Sequence, residues 1–309
     1  MARGGALASD TFAQEAAQGV IKAGGSALQA ALTGYFTATG IDSGVLFAPM
    51  TILVGGVGAG VFAYDGRCRQ PGRDAKRPRG FLPEDEIPLA ATVAAPASIG
   101  AAATAVAFHP GTTLLSCVRP GVQAAKAEGA KGRAELLEFA ASLGATALHA
   151  PAVKKAFKVQ FGTLEEGAIT PTDLASPEGL NTRAKQDGNA WVPEWNQQSV
   201  DSELDFGSGH GIVAADGRGL LVAITYRQML TAAVLEPFET RVPCLASPVR
   251  RGVTRAHPGA AIATPQDLRI EKGESGKLGG VSVVPYKGAS PLRLLRAPET
   301  REIIFPTSL

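Results

Sequence analysis

Cysteine is scarce: only Cys68, Cys117 and Cys244 occur in 309 residues. They share no paired spacing, which excludes a disulfide framework or a cysteine zinc site and fits a reducing compartment. Histidine is equally thin. His109, His149, His210 and His257 are dispersed, with no carboxylate or second histidine at helical ligand spacing, so neither a metal nor a cofactor is expected. Charge of one sign is missing too: 30 Lys and Arg against 28 Asp and Glu leave a net charge of +2, which gives no reason to expect nucleic acid or an anionic membrane as partner. The opening MARGGALASDTF has one basic residue and no apolar core of signal-peptide length, so a cytoplasmic location is expected. No internal repeat is found.

A chain that is 45% hydrophobic can build one large or two closely packed globular domains. Two uncharged runs, Gly44 to Tyr64 and Pro88 to Phe108, have the length of a bilayer span. Gly55, Gly56, Gly58 and Gly60 weaken a helix in the first, and mild Ala and Gly dominate the second. Buried strand or loop, not membrane insertion, is therefore expected for both.

Thr11 and Gln14 form a capping box, after which Phe12, Ala16 and Val20 share a helical face until Gly24 and Gly25. Ser26 and Gln29 repeat the pattern ahead of Leu28, Leu32, Tyr35 and Phe36. Ile52 to Tyr64 reads as a buried strand, with a turn at Asp65-Gly66 and a charged loop over residues 66 to 86. Leu136, Phe139, Ala140 and Leu143 mark a third helix, and Thr170 caps another with Pro171 and Asp173 in its first turn. The polar stretch 176 to 206 reads as a boundary or linker. Beyond it, 211 to 215 and 220 to 226 form a hairpin over Asp216-Gly217, and GGVSVVPY supplies a later strand.

The stretch Gly207-Ser208-Gly209-His210 precedes a strand and lacks the lysine of a phosphate-binding loop. It also departs from G-x-S-x-G, because Phe206 and His210 stand at the outer positions. What remains is Ser208 as a first residue. A serine after a small residue, at the head of a strand, can attack its own preceding carbonyl and then use the freed amine as its base. The plain alternative is a serine in a glycine turn. The basic stretch PVRRGVTR, Pro248 to Arg255, reads as a solvated loop.

Four stretches in order bear on this choice. ASDTFAQEAAQGVIKAGGSALQAALTG, VGGVGAGVFAYDGR, GAITPTDLA and SGHGIVAADGRGLLVAITY together resemble the gamma-glutamyltransferase family of N-terminal-nucleophile hydrolases. The resemblance implies an α+β fold, a four-layer αββα sandwich, cut into a segment of residues 1–207 and a segment of 208–309 that together form one globular unit. It implies Ser208 as nucleophile and new N-terminus, Gly207-Ser208 as the cleaved bond, and Arg67 as the grip on a substrate carboxylate, a task that suits a planar guanidinium fork. Gly279 and Gly280 echo the family's late SPGG as backbone for the oxyanion or substrate. The implied partner is a small amide bearing a carboxylate, of gamma-glutamyl type, with no cofactor. The departures are Gly209 in place of a second threonine, Arg227 and Met229 where the family holds the amine and substrate, and no paired serines before PTI. They define a second expectation, a catalytically inactive homologue kept as a binding or structural protein.

Overall fold

The chain enters through a four-residue strand, β1 (Gly5–Ala8), and turns on Ser9 and Asp10 into helix α1 (Thr11–Lys22). The computed structural model describes residues 4–56, 60–75, 80–162, 167–175, 179–201, 203–230, 232–253, 255–273, 278–296 and 303–304. Asp10, not Thr11, caps α1 by accepting the Ala13 N–H at 2.7 Å, while the Gln14 side chain reaches back to accept the Ala8 N–H. Ser26 caps α2 (Ala27–Ile41) through the Gln29 N–H, as its spacing predicts. The strands β2 (Met50–Gly56) and β3 (Gly60–Gly66) follow as an antiparallel pair where one strand is expected; Gly58 lies outside the described residues.

Asp65-Gly66 does not turn the chain. Gly66 ends β3 pressed against the Met50 carbonyl and against Ser98 and Ala101, where a Cβ would come within about 3 Å of all three. The second uncharged run is also mostly helix, not strand or loop: α3 spans Ser98–Phe108. Its alanines favour a helix, but Ala97 gives it no side-chain cap, so the start carries no sequence signal. No single helix among the described residues is long and apolar enough to cross a membrane.

Helix α4 (Leu114–Ala127) is capped by Thr113 and contains Pro120, and α5 (Lys131–Leu143) covers the third expected helix. Helix α6 (Pro151–Phe161) opens on a proline at its first position. Thr170 and Asp173 exchange hydrogen bonds as a capping pair, but the segment makes a turn and no helix. The expected linker is instead built into both sheets. Within it, β4 (Asn181–Arg183) pairs with β3, while β5 (Lys185–Asp187) and β6 (Ala190–Val192) pair with each other.

The later strands are β7 (Ser208–Ala215), β8 (Leu221–Gln228), β9 (Ala233–Leu235), β10 (Thr240–Val242), β11 (Leu268–Lys272), β12 (Leu278–Val283), β13 (Leu292–Arg296) and β14 (Ile303–Ile304). The first sheet runs in the order β1-β7-β8-β2-β3-β4, the second β14-β13-β12-β11-β6-β5, and β9 pairs with β10. The pairings within both sheets are antiparallel. The β7–β8 turn is tied down by Asp216, whose Oδ1 accepts the N–H groups of Arg218, Gly219 and Leu220 and whose Oδ2 accepts that of Ala27.

Strand alternation sorts the core into two layers. Ile52, Val54, Tyr64, Ile212, Ala214, Val222 and Ile224 face the helices, where α2 is apolar nearly all round because it lies between the sheet and α4. Leu53, Ala63, Val213 and Ala223 face Leu268, Ile270, Val281 and Leu294 of the second sheet. The order of layers is helix, sheet, sheet. The second helical layer of the expected αββα sandwich is not found among the described residues. The outer face of the second sheet has polar groups instead, with Arg293 paired to Glu271 and Arg269 to Asp267, and such a face needs no apolar cover.

Candidate active site

Ser208 is the first residue of β7, exposed, and paired across the ladder with Gln228. The residue before it can only be glycine. Gly207 has φ +62°, and a Cβ there would run into the Gln228 carbonyl. Its N–H donates to Asp205 Oδ1 at 2.8 Å. Phe206 anchors the same segment in an apolar cluster with Ala48, Cys68, Met229, Leu245 and Ala246.

Small residues continue along β7 because the second sheet comes close. A Cβ at Gly209 would strike the Pro285 carbonyl, and one at Gly211 would lie 2.6 Å from Val283 Cγ1. The hairpin thus begins on glycines where strand backbone meets the neighbouring sheet. By alternation Ser208 and His210 face the other way, towards the helical side with Ile212 and Ala214.

On that face a polar chain runs beside Ser208. The Gln228 amide donates to Asp42 Oδ2 at 2.5 Å, which turns its Oε1 towards His210 Nε2 at 3.0 Å. That oxygen only accepts, so His210 Nε2 donates to it, and Nδ1 lies 3.4 Å from the Ser9 hydroxyl. Asp42 is held in turn by the Gly44 N–H, and the His210 ring stacks on Tyr226 with centroids 5.3 Å apart. His210 and Gln228 are thereby held on the face of the sheet that Ser208 shares, Gln228 as its cross-strand partner and His210 two residues along β7. No sequence spacing announces this group, since Ser9 and His210 lie 201 positions apart and Asp42 and Gln228 lie 186 apart.

Arg67 follows directly on β3, which is three strands from β7 in the first sheet, and its side chain packs on Trp195 of the cluster between the two sheets. Its fork is already filled. Nε and Nη2 donate to the two carboxylate oxygens of Asp65 at 2.9 Å each, and Nη1 donates to Gln198 Oε1 at 2.5 Å. The guanidinium is buried and lies 4.7 Å over the Trp195 ring. Arg69 makes a second ion pair with Asp65 at 3.1 Å. Burial pushes the Asp65 carboxyl up, but the Arg67 hydrogen bonds and the Arg69 charge outweigh it and hold the group below the usual carboxylate range.

Gly279 and Gly280 are also remote from Ser208. Leu278, next to them, packs near Gly55 at the Ala215 end of the first sheet, whereas Val283 and Pro285 reach the Ser208 end. Their smallness serves a bulge between β11 and β12, where a Cβ on Gly279 would meet the Gly273 backbone at 2.6 Å. Arg227 faces the second sheet and donates to the Pro265 carbonyl at 2.8 Å, and Met229 is buried beside Phe206. Among the described residues, no group of three or more His, Cys, Asp or Glu could hold a metal ion.

No protein-family model matches the sequence, and no curated protein is recovered as a relative. Solved structures do match the fold. A cephalosporin acylase from Bacillus halodurans superposes with a TM-score of 0.59 at 13% identity, over 78% of this chain and 69% of the acylase. This chain is thus similar in fold to that acylase. The structure of LmbA2991HD matches with a TM-score of 0.62 at 11% identity, over 90% of this chain and 77% of its own. Both likenesses are of fold, at an identity that carries no residue-by-residue equivalence.

Proposed function

We propose that the protein is an amidohydrolase or acyltransferase of gamma-glutamyltransferase-like type, with Ser208 as its nucleophile. One observation carries the reading: an exposed serine heads a strand inside the first sheet of a fold similar to that of a cephalosporin acylase, behind a glycine where a Cβ would meet the Gln228 carbonyl. In the uncut chain Ser208 Oγ attacks the Gly207 carbonyl carbon, the peptide nitrogen takes the proton and leaves, and water hydrolyses the resulting ester. Ser208 then carries a free α-amine. That amine accepts the hydroxyl proton as Oγ attacks a substrate amide, returns it to the leaving nitrogen, and the acyl group passes to water or an amine.

The substrate proposed is a small amide with a carboxylate, of gamma-glutamyl type. To bind Arg67, that carboxylate has to compete with Asp65 for the fork, so Arg67 contributes only if the pair opens. The free state of all three cysteines suits a cytoplasmic setting. The filled fork of Arg67 favours a second reading, a non-catalytic homologue that binds a partner through the same fold.

Chromogenic anilides with and without a free carboxylate separate the two. The enzyme reading expects turnover that Ser208→Ala abolishes. Turnover undiminished in that variant overturns the nucleophile, and no turnover in either protein favours the binding reading.

A further inference from the structure

Gly72, Ala75 and Gly80, with residues 249–253 and 255–258, line a cavity of about 720 Å³, large enough for a small organic ion; Ser208 is not among these lining residues. Arg250, Arg251, Arg255 and His257 line it, and no carboxylate is among its described lining residues. Arg255 is the decisive side chain. Its Nη1 is buried and has no hydrogen-bond partner among the described residues. Burial pulls its pKa down, and the nearby charge of Asp173 opposes that shift.

The Asp173 carboxylate is engaged by its neighbours in the turn. Its oxygens accept the N–H groups of Gly72, Arg73 and Thr170 and the Thr170 hydroxyl, at 2.8 to 3.0 Å. Gly72, at φ +105°, leaves room for the guanidinium: a Cβ there would lie 3.3 Å from Arg255 Nη2. A built pocket thus presents an unmatched buried donor with two further guanidinium groups on its wall. A buried N–H group without an acceptor is costly, and an oxyanion supplies the acceptor that Nη1 of the half-buried Arg255 lacks.

We propose that this cavity is a binding site for a compact dianionic oxyanion of the phosphate class, with Arg255 as its central ligand and Arg250 and Arg251 at its rim. Three guanidinium groups without a lining carboxylate favour a dianion over a single carboxylate. The proposal is independent of the role of Ser208.

The test is calorimetric titration of the full chain with inorganic phosphate at low ionic strength, with acetate as the monoanion control. Saturable binding of one phosphate is expected, at least tenfold tighter than acetate, weakened at least tenfold in Arg255→Gln and several-fold in Arg251→Gln, and unchanged in Ser208→Ala. No saturable phosphate binding, or Arg255→Gln binding like the parent, overturns the site. Equal affinity for acetate overturns the dianion class. Should Arg255→Gln not fold by circular dichroism, Arg255→Lys and Arg251→Gln decide, and undiminished affinity in both overturns the proposal.

Discussion

Adding one methyl group at Gly207 places a carbon where the Gln228 carbonyl already sits, at a backbone angle that side chains rarely adopt. Gly207→Ala is therefore expected to cost roughly 1–3 kcal/mol from the backbone conformation alone, read as a lower urea midpoint. It should also block cleavage at the Gly207-Ser208 bond even though Ser208 is intact; a variant that keeps both parent stability and cleavage contradicts this geometry. That Ser208 heads a strand behind a glycine turn was legible from residue types and from the apolar run that follows. The role of the next glycines was not. Gly209 and Gly211 are small because of Pro285 and Val283, which lie more than 70 positions later and declare no contact in the sequence. Arg67 shows the converse, for a cation that suits a carboxylate on paper is filled by Asp65 two positions away.

Two helices were legible at their caps, and α5 at its apolar spacing without a side-chain cap. Ser26 announces α2, and Asp10 starts α1 one residue ahead of the expected Thr11. By contrast α3 has no side-chain cap, and α4 contains Pro120, which reads as a helix breaker yet is accommodated. Contact between α2 and α4 rests on two glycines. A Cβ on Gly40 would strike the Gly121 carbonyl, and one on Gly121 would strike the Phe36 carbonyl. Gly121→Ala should force the helices apart and cost roughly 1–3 kcal/mol as an overpacked contact, measured by thermal or urea unfolding. A neutral result there would mean that α2 and α4 do not meet backbone to backbone.

The whole molecule is held together by charges and neutral groups that respond oppositely to pH. Asp65, held below its ordinary value of 3.8, contributes stability that is present above that value and is lost as pH falls through its lower folded pKa. Burial pushes the Cys68 and Cys117 thiols from an ordinary 9.0 up to about 12, so their contribution is present below pH 9 and lost as pH rises towards 12. Burial drives the Tyr35, Tyr64 and Tyr226 phenols upward as well. Urea midpoints should thus be level near neutrality and fall on both sides; a midpoint that still rises above pH 10 contradicts the buried thiols and phenols. The β7–β8 hairpin was legible in its apolar runs and turn residues, and the α+β class through the family resemblance. The stitching of residues 179–201 into both sheets was not, since its short polar strands carry no alternating pattern. Because β7 and β8 lie between β1 and β2 in one sheet, the segments before and after Ser208 share a core and should stay associated after a cut. Intact mass of freshly purified protein beside its Ser208→Ala variant tests the central claim most directly. The account predicts two fragments divided between Gly207 and Ser208 in the parent and one uncut chain in the variant, whereas a single uncut chain in both would contradict it.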